Sequence, residues 1–65
     1  MPVKQYSVWC VTERKWCGIS MNHYLQLRDV PYVNMTSTDL VAAKLRARSL
    51  AREFPDRVFV ALEVN

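Results

Sequence analysis

AKLRARSLAREFP, residues 43–55, has the apolar period of an α-helix and ends on a proline. At about 100° per residue, Leu40, Ala43, Ala47, Leu50, Ala51 and Phe54 fall within one narrow arc, the face of a helix that packs on something else. The pattern predicts a helix over residues 39–54, stopped by Pro55. Just upstream, Thr36, Ser37 and Thr38 offer capping hydroxyls, and Asp39 suits the positive end of a helix dipole.

The flank of this helix is basic. Lys44, Arg48 and Arg52 recur at i, i+4 and i+8, with Val41 and Leu45 on the same side; Arg46 and Glu53 lie on the other. None of the three bases has an acid three or four residues away within the helix. Each neighbouring pair of like charges costs about 0.2–0.5 kcal/mol, and Arg52 recovers a similar amount at the negative helix end. Two readings compete: a solvated surface with Val41 and Leu45 widening the buried stripe, or a ridge kept for a partner.

Working outward, residues 3–13 alternate and are rich in β-branched and aromatic types, and WCGISM resumes the pattern after polar TERK. That predicts a hairpin. A turn centred on Glu13 and Arg14 sets Val11 opposite Trp16 and Cys10 opposite Cys17. Residues 22–30 read either as an extension of the second strand or as an irregular crossing. VPYVNMT reads as extended, with Pro31 at a strand start or edge. DRVFVALEV reads as a closing strand with Val58, Val60, Leu62 and Val64 on one face. The expected fold is a two-layer α+β domain over residues 1–65: one helix packed on a small, mainly antiparallel sheet of three to four strands, in the order β-β-(β)-α-β.

One helix covers only one side of such a sheet. Alternation assigns Tyr6, Val8, Cys10, Cys17, Ile19, Val58, Val60 and Leu62 to the helix side. It sends Trp9, Val11, Trp16 and Phe59 to the back, where Tyr32 can join them. An uncovered sheet face normally reads polar; this one is aromatic. Residues 23–27 can fold over it, it can bind a protein or a second copy, or it can stack on single-stranded bases.

Composition sets further bounds. The chain has 65 residues, a formal charge of +3, 51% hydrophobic residues and a single glycine, so it is neither disordered nor loop-rich. No apolar run approaches the roughly 20 residues that span a bilayer, and MPVKQYSVW lacks the charge and apolar order of a signal peptide. A cytoplasmic protein with reduced thiols is expected. Cys10, Cys17 and His23 are the only soft metal ligands, too few and wrongly spaced for structural zinc. No glycine-rich phosphate loop or paired carboxylates occur. The expectation is no catalysis, no metal and no cofactor.

The tail VPYVNMTSTDLVAAKLRARSLAREFPDRVFVALEV is similar in layout to the strand–helix–strand part of the T7-type phage inhibitor of host RNA polymerase. The likeness lies in element order. That family relies on acidic surface and this helix is basic, so no site residue is carried across. The resemblance implies a small phage accessory protein that modulates a host enzyme. With the residue reading, it leads to a non-catalytic interaction module for a protein with an acidic surface. Its expected contacts are Lys44, Arg48, Arg52, Val41 and Leu45 on the helix and Trp9, Trp16 and Phe59 on the sheet. A small nucleic-acid-binding protein and a homodimer through the sheet face are the other two readings.

Overall fold

The computed structural model describes residues 3–20, 22 and 24–64. Four strands form one antiparallel sheet: β1 (Gln5–Cys10), β2 (Lys15–Ile19), β3 (Leu25–Arg28) and β4 (Phe59–Val64), in the spatial order β3-β2-β1-β4. A single α-helix, α1 (Leu40–Glu53), lies on one face. The chain is therefore the two-layer α+β fold expected, with four strands.

The hairpin forms in a different register. Trp9 stands opposite Trp16 and Cys10 opposite Lys15, two places from the pairing a turn at Glu13 and Arg14 would give. Residues 11–14 make a four-residue loop in which Arg14 takes a φ of 57°. A shift of two leaves every side chain on its expected face. Cys10 and Cys17 thus share the helix side but do not stand opposite one another.

The ambiguous stretch resolves into β3, which pairs with β2 from Ile19–Leu25 to Trp16–Arg28. Its alternation is plain once the pairing is known: Leu25 and Leu27 pack on the core and Gln26 and Arg28 are exposed. The expected strand at VPYVNMT does not form. That segment crosses the sheet as a single 3-10 turn, Val33–Met35, followed by one bridge at Ser37. Ser37 exchanges both backbone hydrogen bonds with Tyr6, at 2.7 and 2.8 Å, so the returning chain sits beside β1 where β2 would otherwise continue.

The helix begins one residue later than expected. Asp39 is itself the cap: its carboxylate accepts from the Val41 N–H at 2.9 Å, while Ser37 Oγ accepts from the Asp39 N–H. At the far end the Phe54 N–H still reaches Leu50 O before Pro55 ends the helix. Ala43, Ala47 and Leu50 are buried, and Ala47 and Leu50, with Ala51 and Phe54, pack against Val8, Cys10, Cys17 and Phe59.

The closing strand presents the opposite face from the one expected. Cys10 pairs with Phe59 and Val8 with Ala61, so Phe59 and Ala61 face the helix, and Val60 and Leu62 share the back with Trp9 and Ser7. Phe59 is only 9% exposed, with its ring 6.5 Å from that of Phe54. The physical reason lies in the helix. Ala47 and Ala51 are the helix residues beside Phe59, and side chains that small leave room for a large ring in a close-packed core.

Candidate functional site

The back of the sheet is covered in part, though by a different segment from the one expected. Residues 25–27 do not fold over it, since Leu25–Arg28 is a strand; His23 lies outside the described residues. The cover comes from the crossing after β3. Tyr32 lies over Gly18, and the Arg28 guanidinium sits 3.9 Å from the centre of the Tyr32 ring while donating to Val30 O and Pro31 O. Next to this cover a row runs across all four strands: Arg28, Trp16, Trp9, Val60. The two indoles meet edge to face, with centroids 5.0 Å apart at 73°, and both are half-buried. Val11, Val58 and Leu62 continue the back face as exposed aliphatics.

Phe59 does not belong to this surface. It was expected beside Trp9 and Trp16, and it lies instead in the core on the other side of the sheet. Trp9 and Trp16 are where alternation put them, but each uses much of its surface on the other.

The helix flank is the more open surface. Val41 is 63% exposed and Leu45 58%, so neither widens the buried stripe. Lys44, Arg48 and Arg52 are exposed beside them, and among the described residues none makes an ion pair. Two of the acids are engaged elsewhere: Lys15 holds Asp29, and Arg57 lies 3.8 Å from Glu13. On the opposite flank Arg46 is half-buried and donates to the Met35 carbonyl at 2.9 Å, tying the helix to the crossing segment. That arginine is structural.

Between the basic flank and β4 runs an open groove of about 430 Å³. Ala47 and Ala51 line it from the helix, Phe59 and Ala61 from the strand, with Lys44 and Arg48 beside them. Arg52 is not part of it. Residues four apart on a helix drift by about 40° per step, so the ridge starts at the groove and turns away into solvent. Sequence periodicity placed the three bases together and missed this divergence.

The groove follows a free sheet edge. Among the described residues β4 is the outermost strand, paired with β1 alone. The Val11 N–H donates to Val58 O at 2.8 Å, which sets the alternation: Val60, Leu62 and Val64 turn their backbone groups to β1. The N–H and C=O groups of Phe59, Ala61 and Glu63 therefore point outward. Phe59 and Ala61 were missed as edge positions because the signal is a pairing register, which no residue type announces.

Other chemistry is sparse. Cys10 and Cys17 are both free thiols with no exposed surface. Burial, with Cys10 beside it, pushes the Cys17 thiol up to about 12, the reverse of what a nucleophile needs. Among the described residues no group of three or more His, Cys, Asp or Glu could hold a metal ion. No helix there is long and apolar enough to cross a membrane. Comparison with family models, with curated proteins and with solved structures finds no match.

Proposed function

We propose that this chain is a non-catalytic cytoplasmic interaction module that binds a protein partner through an acidic surface. Lys44 and Arg48 are the charged contacts, flanked by Arg52, Val41 and Leu45. The observation that carries the reading is the company these bases keep. They are exposed and unpaired among the described residues, and they border exposed aliphatics and an open groove. A purely solvated flank needs none of that, and exposed aliphatics beside unpaired bases are what a partner with acidic and apolar groups buries. The mode of action is occlusion by a small rigid body, in the manner the layout resemblance to a phage inhibitor of a host enzyme implies.

The aromatic face supports base stacking less well. Trp9 and Trp16 pack on each other, and Arg28 occupies a face of Tyr32. Open aromatic faces are what single strands require.

Affinity capture from cell lysate, with and without nuclease, tests the proposal. The wild-type chain should retain a protein whether or not nucleic acid is digested, and Lys44→Glu with Arg48→Glu should release it while circular dichroism stays unchanged. Recovery that disappears with nuclease, and oligonucleotide affinity that falls with salt by about one unit of log–log slope per phosphate contact, would hand the function to nucleic-acid binding.

A further inference from the structure

We infer that the β4 edge is a strand-addition site for an extended peptide in which acidic residues alternate with apolar ones. The inference rests on the acidic-partner reading above and names how that partner is held.

Three features converge on this edge. First, the outward N–H and C=O groups of Phe59, Ala61 and Glu63 form a short, regular ladder with no strand beside it among the described residues. Edges of this kind are usually blunted by charged side chains, proline or a bulge. Residues 59–62, FVAL, carry no charge and no proline, Glu63 is the one charge near the far end, and the pairing with β1 runs without a bulge from Cys10–Phe59 to Gln5–Val64.

Second, the two sides of an added strand would meet different chemistry. A strand laid along β4 points alternate side chains to opposite faces. Those on the helix side enter the groove beside Lys44 and Arg48. Those on the back extend the aliphatic surface of Val58, Val60 and Leu62, where Val58 and Leu62 are exposed. Carboxylates on the first set and aliphatics on the second satisfy both. Main-chain hydrogen bonds then supply affinity and the alternation supplies specificity.

Third, charge selects against a second copy of this chain. Antiparallel pairing of two β4 edges about a twofold axis places both helices on one side of a continuous sheet. Each copy would bring two bases, Lys44 and Arg48, and one helix-side acid, Glu63, to the seam, a net positive charge facing its like. An acidic strand is attracted by the field that repels a copy.

The test uses the whole chain and a short fluorescein-labelled peptide alternating Glu and Val, followed by fluorescence anisotropy and by amide shifts in NMR spectra. Binding should weaken with salt, and the amides of Phe59, Ala61 and Glu63 should shift and gain protection from exchange. Two modified peptides divide the contributions. One alternating Lys and Val should bind at least about tenfold more weakly, and so should one N-methylated on the residues that face β4. Ala61→Pro, which removes an outward N–H not used in pairing with β1, should act like N-methylation. The N-methylated peptide keeps the test valid if that variant folds poorly.

Equal binding of the N-methylated peptide, or shifts confined to Trp9 and Trp16, would overturn strand addition. If Lys44→Glu with Arg48→Glu still abolished binding in that case, the acidic-partner reading would survive it. Protection of the β4 amides without peptide, together with a doubled mass in solution, would show that a second copy takes the edge and would also overturn it.

Discussion

The ring of Tyr32 lies so close over Gly18 that a Cβ at residue 18 would meet it at 2.7–2.8 Å. Gly18 is the only glycine in the chain, and it is in the middle of β2, where glycine weakens a strand. It stays because the crossing after β3 must descend onto the back of the sheet. Arg28 clamps the same ring and bonds to the carbonyls just before it, so the cover is fastened from both sides.

Gly18→Ala should accordingly cost about 1–3 kcal/mol, the usual penalty for forcing atoms into a packed site. Urea denaturation followed by tryptophan fluorescence reads it. In a Tyr32→Ala background the same change should cost much less, because the clashing ring is gone. Equal costs in the two backgrounds would show that the close approach does not matter energetically.

The Trp9–Trp16 pair is a cross-strand contact at the hairpin end of the sheet, and its geometry is specific. Edge-to-face pairs contribute about 0.5–1.5 kcal/mol beyond the area they bury. A double-mutant cycle with Trp9→Val and Trp16→Val should return a coupling of about that size. The register expected from a turn at Glu13 and Arg14 would set Trp16 opposite Val11 instead and predict a much weaker coupling.

The helix was legible because its period is unambiguous: Ala43, Ala47 and Leu50 recur on one arc, and no other element type places them together. β1 and β2 were legible in both existence and face, β3 was left ambiguous, and β4 was legible in existence but not in face. Residues 58–64 are apolar in both parities, with Val58, Val60, Leu62 and Val64 in one set and Phe59 and Ala61 in the other. The count of aliphatics favours the set that proves to be the back. What decides the matter is the volume needed over an alanine-lined helix, a tertiary quantity that alternation does not contain. The basic flank was visible as a helix pattern, whereas the groove beside it depends on β4 being an edge. The crossing misled for a related reason: VPYVNMT looks extended, but it winds through a 3-10 turn at Val33–Met35 and lies across the strands rather than among them.

Phe59→Ala should therefore behave as a core deletion rather than as the loss of a surface contact. Such truncations cost about 3–5 kcal/mol, comparable to the whole stability of a domain this small. The variant should lose its cooperative thermal transition in circular dichroism. Val58→Ser, on the exposed back, should keep its transition within a few degrees of wild type. A folded Phe59→Ala chain would contradict the assignment of that ring to the core.

Arg14 offers a stabilising change. Its φ of 57° puts a long side chain in the left-handed region at the end of the hairpin loop, where asparagine and glycine are at ease. L-residues incur roughly 1–2 kcal/mol in that conformation, and asparagine relieves part of it through local hydrogen bonding. Arg14→Asn should gain up to about 1 kcal/mol in urea titrations, with the midpoint moving and the slope unchanged. A lower midpoint would mean that the arginine makes a contact worth more than the strain.

Cys17 ties stability to alkaline pH. Its thiol is pushed from 9.0 to about 12, first by burial, then by repulsion from Cys10 beside it and by a hydrogen bond between the two, with Arg57 pulling the other way. The neutral thiol is the form the core holds, so the contribution is complete below the unfolded value of 9.0. As pH rises beyond that, the unfolded chain releases the proton while the folded chain keeps it, and the equilibrium moves toward unfolding. The loss should approach about 1.4 kcal/mol per pH unit and level off near the folded value. The informative quantity is the difference in slope between wild type and Cys17→Ala. The variant begins less stable because it leaves a cavity, but its stability should fall less steeply above pH 9.0. Parallel curves would show that the thiol leaves the core or finds a counter-charge before it ionises.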